Sequence, residues 1–268
     1  MRKYGWIPDL PDHRDFMYAA PRGILQVLPP QIDLTPVCPP VYDQLALGSC
    51  TANAIGGAHQ FEQMKQIAPE AAFTPSRLFI YWNERRDKTS DSGAMIRDGI
   101  KSVVKQGVCP EDEWPYDIAQ FANKPPQPCY DDAMKHQVVS YHRLLPLLNQ
   151  MKGCLADGYP FVFGFSVYES FESTAVTQTG IVPMPGSDES MIGGHAVMAV
   201  GYDDATQRFI VRNSWGAAWG KKGYCFMPYT YLTDPNLAAD MWTIRMVEVC
   251  VDKLQAAGFT FLGSGKYL

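Results

Sequence analysis

The spacing of apolar residues predicts helices in the first half of the chain. Between residues 50 and 67, apolar positions recur every three or four residues, which is the helix period: Ile55, Ala58, Phe61, Met64 and Ala68. Ser49 is the predicted N-cap of this helix, and Pro69 follows its end. Gly56 and Gly57 lie inside it at a cost of about 1 kcal/mol each relative to alanine, so we expect another backbone to pack closely there.

Two more helices are predicted before the pattern changes. One follows Thr74 and Pro75, a cap and a first-turn proline, and the other covers residues 95–106 and ends at Gly107. After residue 137, short runs of β-branched and aromatic residues are bounded by Gly, Asp and Asn, which is typical of strands, with one short helix near residues 147–156. Helices followed by strands predict an α+β protein with a cleft between two unlike halves.

Residues 1–28 form a lead segment that differs from the rest of the chain. It mixes charges, aromatics and prolines without a helix or strand period, and a proline-dense run at 29–40 follows it. Such a run favours extended backbone over a packed element. We therefore divide the chain into the lead segment, a mainly helical part (29–137) and a β-rich part (138–268). The lead segment is expected to lie across a surface, with a disordered tail as the alternative, and its composition does not match an intact signal peptide.

Composition narrows the possible functions. The 268 residues are 46% apolar and 19% charged, which excludes a disordered chain. Lysine and arginine number 23 against 28 acidic residues, so the net charge of −5 argues against a nucleic-acid partner. No apolar run is long enough to cross a bilayer. Seven cysteines are an odd number, so at least one is free or paired outside the chain, and the compartment stays open.

Cys50 is placed for nucleophilic chemistry. It begins the predicted 50–67 helix and follows the sequence QLALGS. Unpaired N–H groups and the helix dipole favour negative charge at this position, which predicts a lowered thiol pKa and a reactive thiolate. Gln44, six residues earlier, can donate its side-chain N–H to a developing oxyanion, beside the backbone N–H of Cys50.

His195 and Asn213 complete the candidate catalytic set. His195 opens an apolar strand in GGHAV, and Asn213 ends the next strand in RNSWG. The imidazole can act as a base, and the amide oxygen can accept its N–H and fix its tautomer, with Trp215 covering that bond from water. The other histidines are expected to be surface or packing residues. No CxxC or HxxxH spacing indicates zinc, so neither a metal nor an organic cofactor is expected.

These motifs resemble those of the papain-like, cathepsin-type cysteine peptidases. The resemblance runs from about residue 29 to residue 251 and rests on ordered motifs: PPQIDL, QLALGSC, SGAMIRDGI, GVCPEDEWPYD, GGHAVMAVGYDD and NSWGAAWGKKGYCFM. His195 and Asn213 follow Cys50 at close to the family's separation of about 130–150 residues. The chain departs from the family at Leu47, where a disulfide cysteine is usual, and at Thr51, where an aromatic is usual.

The resemblance implies a two-lobed fold, with a helical lobe and an antiparallel β-barrel lobe on either side of an active-site cleft. It implies Cys50 as nucleophile, His195 as acid–base, Asn213 as its orienting residue and Gln44 as oxyanion donor. It also implies a substrate-binding set: Ser92, Gly93, Ala94, Met95, Gly194, Ala196, Trp215 and Asp240. Asp240 is the charged residue of the segment 236–242, which is expected to form a pocket floor. If the side chain of Asp240 points inward, the pocket is expected to accept arginine. If it points outward, Asp240 is expected to cap a surface turn.

The expected function is hydrolysis of peptide bonds through a thioester, by a monomer that acts on polypeptides and has no nucleic-acid or membrane partner. An acyltransferase that uses the same thioester and an inactive peptide-binding homologue are the alternatives. The lead segment carries several apolar anchors: Tyr4, Trp6, Ile7, Leu10, Phe16 and Tyr18. We expect it to occupy the cleft as an intramolecular inhibitor, as in a zymogen. The alternative is that it packs on the back of the barrel lobe and only adds stability.

Overall fold

The helices lie mainly in the first half of the chain, as the apolar spacing predicts. The structure is a computed structural model that describes residues 3–248. Its helices are α1 (Arg22–Gln26), α2 (Cys50–Gln66), α3 (Arg77–Glu84), α4 (Ile96–Lys105), α5 (Gln127–Ala133), α6 (Leu148–Ala156), α7 (Thr174–Thr179) and α8 (Tyr229–Thr233). Short 3-10 turns cover Thr35–Val37, Pro69–Ala71, Ile118–Gln120 and Glu169–Glu172. No helix in this part of the chain is long and apolar enough to cross a membrane.

The strands form one antiparallel sheet. They are β1 (Gln31–Asp33), β2 (Val138–Leu144), β3 (Phe161–Tyr168), β4 (Met191–Asp203), β5 (Arg208–Arg212), β6 (Tyr224–Pro228) and β7 (Ala238–Val247). Their order is β2-β7-β3-β4-β5-β6, and β1 pairs with β4. The prediction that the proline-dense run stays unpacked is therefore wrong for Gln31–Asp33, because extended backbone can join a sheet edge as readily as it can stay alone.

The sheet has one apolar cluster on each side, which explains the almost uninterrupted apolar sequence of β3. Phe161, Phe163 and Phe165 enter the core of the sheet lobe, while Val162 enters the core shared with α2 and α4. Successive side chains of a strand point to opposite faces, so a strand covered on both faces is apolar throughout. Helices α2 to α5 contribute to the cluster on the Val162 side, and α6, α7 and α8 contribute to the cluster on the other side. The α+β prediction is confirmed.

The glycines inside α2 make room for arginine side chains. A Cβ on Gly57 would lie 2.7 Å from Nη1 of Arg212, and one on Gly56 would lie 3.4 Å from Cγ of Arg77. Both arginines are buried, and Arg212 donates to the carbonyl of Pro40. The expectation of a second backbone beside these glycines was wrong, since long charged side chains take up the space instead.

The start of α3 also differs from the sequence prediction. Its N-cap is Ser76, whose Oγ accepts from the N–H of Phe79 at 3.1 Å, rather than Thr74. Pro75 lies before the helix, in an isolated antiparallel bridge with Pro110. The bridge holds this segment extended, so the helix begins after the proline.

The second part of the lead segment, residues 16–26, packs on the sheet lobe. It runs beside β2, where Tyr18 N–H donates to Arg143 O and Arg143 N–H donates to Phe16 O, both at 2.7 Å. Tyr18 and Ala20 are buried in the core of the sheet lobe, and α1 follows them. This part of the lead segment is thus built into the fold.

Two polar residues connect the helix that carries Cys50 to α3. Thr51 Oγ1 donates to Glu84 Oε1 at 2.6 Å, and both residues are buried. Burial raises the pKa of Glu84 to about 8. The hydroxyl of Thr51 gives Glu84 a polar contact in an apolar region, where an unpaired carboxyl group would be costly.

Glu84→Gln is expected to reduce the pH dependence of stability. Because the folded state raises this pKa from 4.5 to about 8, the contribution of Glu84 is fully present below pH 4.5 and is lost as the pH rises through 8. The free energy of unfolding should fall by up to about 1.4 kcal/mol per pH unit over this range. Urea unfolding between pH 5 and 8 should show a falling free energy of unfolding in the wild type and a flatter one in Glu84→Gln. The exposed Glu70→Gln should keep the wild-type slope, and equal slopes in all three proteins would contradict a buried neutral carboxyl.

Candidate active site

Cys50 lies where the first turn of α2 meets β4. Its side chain is completely buried, and the backbone of Ala196 in β4 lies near enough to the thiol to act on its pKa. The backbone of Gly5, from the lead segment, acts on it in the same way. The sulfur is thus enclosed by the helix N-terminus, the strand that carries His195 and the lead segment.

His195 and Asn213 are paired as the sequence predicts. His195 Nε2 lies 2.8 Å from Asn213 Oδ1, and both side chains are buried. Asn213 Oδ1 also accepts the N–H of Ser214 at 2.8 Å, which orients the amide. Since an amide oxygen only accepts, Nε2 carries the proton and Nδ1 is the basic nitrogen of the neutral ring. Trp215 stacks on the imidazole, with ring centroids 5.0 Å apart, and shields the pair.

The side-chain amide of Gln44 is held by three partners. Its Nε2 donates to Leu47 O at 3.0 Å and to Lys3 O at 3.1 Å, and its Oε1 accepts from Ser214 Oγ at 2.7 Å. The predicted oxyanion donor is therefore oriented by the protein and is already bonded to a carbonyl oxygen of the lead segment.

Asp91 was missed by the sequence analysis, although it directly precedes the predicted substrate residues. Its carboxylate accepts from Gly48 N–H at 3.0 Å and from Tyr81 OH at 2.5 Å, and it pairs with Lys3 Nζ at 2.8 Å. It fixes the turn that leads into Cys50. The signal in the sequence was its position immediately before SGAM.

Tyr116 was also missed, and it supports the site from behind. Its OH donates to Gln44 O at 3.0 Å and shares a hydrogen bond with Ser49 Oγ at 2.6 Å. Ser49 is the N-cap of α2, but its side chain makes no capping bond to that helix. Tyr116 belongs to the GVCPEDEWPYD motif, so the motif marks a residue that braces the catalytic loop.

Residues 3–9 of the lead segment run through the cleft. Three backbone hydrogen bonds hold them: Trp6 N–H to Gly194 O at 2.9 Å, Ile7 N–H to Ala94 O at 3.0 Å, and Ala94 N–H to Gly5 O at 2.8 Å. A Cβ on Gly93 would lie 2.2 Å from Gly5 O, and the φ of Gly93 is +74°. Glycine is required at 93 both by this approach and by its backbone conformation. The predicted Gly93, Ala94 and Gly194 thus contact the lead segment.

The ring of Trp6 fills a pocket whose polar end is Asp240. A Cβ on Gly164 would lie 1.9 Å from Cε2 of this ring, so the indole lies directly on β3. Its Nε1 donates to Asp240 Oδ2 at 3.2 Å, and Arg143 pairs with the other oxygen at 3.0 Å. Asp240 is only 4% exposed. Of the two alternatives for Asp240, the structure places it inward.

Tyr4 covers the other side of His195. Its ring lies 6.0 Å from His195 and 6.3 Å from Trp215, and its OH donates to Glu172. A Cβ on Gly193 would lie 2.6 Å from the Tyr4 ring. The two glycines before His195 therefore allow close passage of the lead segment.

The remaining predicted substrate residues lie beside this contact. Ser92 is exposed next to Gly93. Met95 is the N-cap residue of α4, and its Sδ accepts from Arg86 at 3.7 Å. Neither has a hydrogen bond to the lead segment among those found, so their assignment to the substrate site stays a prediction.

Comparison with known proteins agrees with this geometry. The sequence model of the papain family cysteine proteases matches residues 28–239. The chain belongs to the papain family of cysteine proteases. The peptidase is 44% identical over 273 residues to an uncharacterized peptidase C1-like protein, L477, of Acanthamoeba polyphaga mimivirus, covering 92% of this chain and 88% of that protein. The resemblance stated from the motifs, and with it a cysteine peptidase and hydrolase, is confirmed.

Solved structures support the same fold. Xylellain, a cysteine protease from Xylella fastidiosa, is 46% identical and has a TM-score of 0.85, with 91% of this chain and 96% of that chain covered. Procathepsin L 3 from the Tenebrio molitor larval midgut is 17% identical with a TM-score of 0.67, covering 88% of this chain and 74% of that chain. The second comparison shows the fold alone, and together they bear out the two-lobed prediction.

In the covered cleft the thiol of the peptidase differs from the sequence expectation. Burial raises the pKa of Cys50 to about 12, although hydrogen bonds from the backbone of Ala196 and Gly5 act in the opposite direction. A lowered pKa was expected from the helix N-terminus alone. Burial of the sulfur between α2, β4 and the lead segment accounts for the difference, because desolvation disfavours the thiolate.

Removal of residues 1–12 is expected to lower the pKa of Cys50. The rate of iodoacetamide alkylation at Cys50, followed by peptide mass spectrometry from pH 5 to 10, should rise at lower pH than in the full chain. Phe16→Ala, which changes an exposed side chain of the packed part, is the control and should follow the full chain. Superimposable pH profiles for all three proteins would show that the lead segment does not set this pKa.

Proposed function

We propose that the protein is a peptidase that hydrolyses polypeptides through a thioester on Cys50, and that its lead segment holds it in a latent state. The observation that carries the first part is that Cys50 lies beside Ala196, the neighbour of His195 in β4, that His195 pairs with Asn213, and that the Gln44 amide is held to Leu47 in the loop before Cys50. Hydrogen bonds at 2.8 Å and 2.7 Å orient the pair and the amide. Nucleophile, base, orienting residue and oxyanion donor are the parts that acyl transfer requires.

The proposed reaction begins when His195 Nδ1 takes the thiol proton. The sulfur attacks the substrate carbonyl carbon, and the oxyanion that forms is stabilised by Gln44 Nε2–H and the backbone N–H of Cys50. His195 then protonates the leaving amine as the C–N bond breaks, which leaves a thioester on Cys50. Water, deprotonated by His195, attacks the thioester and releases the acid product with the regenerated thiol.

Asn213 and Trp215 act on the histidine in this scheme. The Asn213 oxygen keeps the proton on Nε2, so that Nδ1 can accept and donate in each half-reaction. Stacking by Trp215 excludes water from that hydrogen bond, which strengthens it in a region of low dielectric. Both residues therefore position the base.

Cys50→Ala and His195→Ala should each abolish peptide hydrolysis in a chain freed of residues 1–12. Gln44→Ala should lower kcat by about 100-fold, or about 3 kcal/mol, as the loss of one oxyanion donor does. Cys38→Ala, which removes a half-buried thiol, is the control and should retain activity. Turnover of a peptide library by Cys50→Ala at the wild-type rate would disprove the assignment. Mass spectra of products formed with an added amine separate hydrolysis from acyl transfer.

The latent state is supported by the contacts of residues 3–9. Lys3 O occupies the Gln44 donor, Trp6 fills the pocket that ends at Asp240, and Tyr4 covers the catalytic histidine. A substrate must displace all three contacts to reach the sulfur. The groups that the reaction needs are already engaged by the chain's own segment.

The lead segment is held so that it resists cleavage. The backbone of Gly5 lies beside the Cys50 thiol, while the carbonyl on the Gln44 amide belongs to Lys3. In a productive complex the sulfur and the oxyanion donor act on the same carbonyl group. Here they contact different residues, so the segment blocks the site without presenting a bond for attack.

The packed part of the lead segment keeps its cleft part in place. Residues 16–26 are bound to β2 and the sheet-lobe core, so residues 3–9 are tethered by only a few intervening residues. Short tethers give effective concentrations in the millimolar range or above, at which modest contacts close the site. Residues 3–9 thus support the expectation of an intramolecular inhibitor, and residues 16–26 support the alternative that the segment packs on the barrel lobe and adds stability.

The pocket filled by Trp6 also supports a substrate preference. It accepts a bulky side chain along β3 and offers the Asp240 carboxylate to an N–H at the far end. Arginine and tryptophan combine length with such a donor. We therefore expect substrates with one of these side chains to bind there.

Trp6→Ala should activate the full chain. A buried tryptophan side chain stabilises the closed state by about 3 kcal/mol. Its loss should increase the fraction of molecules with an open cleft by about 100-fold, and kcat/KM should rise until it equals that of the chain without residues 1–12. The measurement is kcat/KM on one peptide substrate, with circular dichroism to verify folding. Phe16→Ala is the control and should stay latent. Equal kcat/KM values for the full chain, Trp6→Ala and the shortened chain would exclude self-inhibition.

A further inference from the structure

Two cysteines lie together outside the catalytic cleft. Cys109 follows α4, Cys129 lies in α5, and their sulfurs are within 4.8 Å of each other and of the carboxylate of Glu113. Both are thiols in this structure, with 0% and 2% of their surface exposed. The Sγ of Cys129 donates to the backbone carbonyl of Glu113 at 3.7 Å. No step of the proposed peptidase reaction uses either thiol.

The surroundings favour a disulfide over a metal ion. A soft divalent cation needs two thiolates, and burial raises the pKa of both Cys109 and Cys129. Two thiolates and the Glu113 carboxylate would leave one net negative charge at the edge of an apolar cluster that includes Phe79 and Ala133. A disulfide is neutral and apolar, and therefore fits the same space without that cost.

We propose that Cys109 and Cys129 form a reversible dithiol–disulfide pair that locks the segment between them. The bond length of a disulfide is about 2.05 Å, so the two sulfurs, which lie within 4.8 Å of each other, must move together for closure. The pairing rests on the geometry of the two thiols and is independent of the roles proposed for Cys50 and His195.

The oxidant is a low-molecular-weight disulfide such as oxidised glutathione. The Cys129 thiolate attacks one sulfur of the oxidant and forms a mixed disulfide with it, while the S–S bond of the oxidant breaks and its other sulfur leaves as a thiol. The Cys109 thiolate then attacks the Cys129 sulfur and releases the second thiol. Two protein thiols lose two electrons and two protons, and one small disulfide becomes two thiols.

The locked segment, residues 109–129, braces the catalytic loop. It contains Tyr116, which hydrogen-bonds to Gln44 O and Ser49 Oγ, and Glu111, which pairs with Arg77 at 2.7 Å. A cross-link at its two ends removes chain entropy from the unfolded state, by an amount that grows with the 109–129 separation. Oxidation should therefore stabilise the part of the helical lobe that supports the nucleophile.

The test uses the full chain with Cys50→Ala, so that the candidate nucleophile cannot react. The protein is incubated at pH 8.5 with reduced or oxidised glutathione, because the raised thiol pKa slows exchange at neutrality. Peptide mapping without reductant should give a 109–129 cross-link two hydrogens lighter than the paired thiols. The melting temperature should be about 5 °C higher after oxidation and should return on reduction.

Matched cysteine variants identify the pair. Cys109→Ala and Cys129→Ala should lose the redox-dependent shift, while Cys154→Ala, a buried thiol of the sheet lobe, should keep it. If an alanine variant fails to fold, the cross-link mapped in the Cys50→Ala full chain decides whether Cys109 and Cys129 pair. Absence of the cross-link, a cross-link between other cysteines, or one equivalent of bound zinc that Cys109→Ala removes would each overturn the proposal.

Discussion

The contact between the first turn of α2 and β4 is the constraint on which the active site depends. It brings a helix N-terminus against a strand from the other lobe, with the Cys50 thiol beside the backbone of Ala196. His195 is the neighbouring residue in β4, and Asn213 lies just beyond β5, the next strand of the sheet. One helix-to-sheet contact therefore sets Cys50, His195 and Asn213, the residues of the proposed mechanism, relative to each other, since strands in one sheet are rigidly registered.

The same contact creates the groove that the lead segment fills. Glycines at 93, 164, 193 and 194 lower both walls of the cleft, and each would meet the lead segment if it carried a Cβ. Residues that leave the cleft open to an extended polypeptide leave it open to the chain's own segment as well. The proposed latency thus requires no separate inhibitory domain, only a segment anchored nearby on β2 and in the sheet-lobe core.

Two departures from the family pattern have local physical explanations. Leu47, where the family has a disulfide cysteine, is buried in the apolar cluster of the helical lobe, so packing occupies that position. Thr51, where the family has an aromatic, gives its hydroxyl to the buried Glu84. In the same lobe Cys109 and Cys129 lie close enough to cross-link a different segment. The helical lobe thus has other internal contacts at the two positions where the family has a cysteine and an aromatic residue.

The sequence by itself determined the helix that begins at Cys50 and the strands of the second half, and it indicated Gln44, Cys50, His195 and Asn213 as the candidate catalytic set. These follow from local periodicity and from motifs in which neighbouring residues carry the chemistry. Only the tertiary structure decided the contacts between distant segments: the arginines that lie against Gly56 and Gly57, the inward carboxylate of Asp240, and the support from Asp91 and Tyr116. It also decided the direction of the Cys50 pKa in the covered cleft. A helix N-terminus is visible in the sequence as a source of positive potential, but desolvation depends on what packs over the sulfur. That covering is supplied by residues some forty-five positions away along the chain, and no local pattern records it.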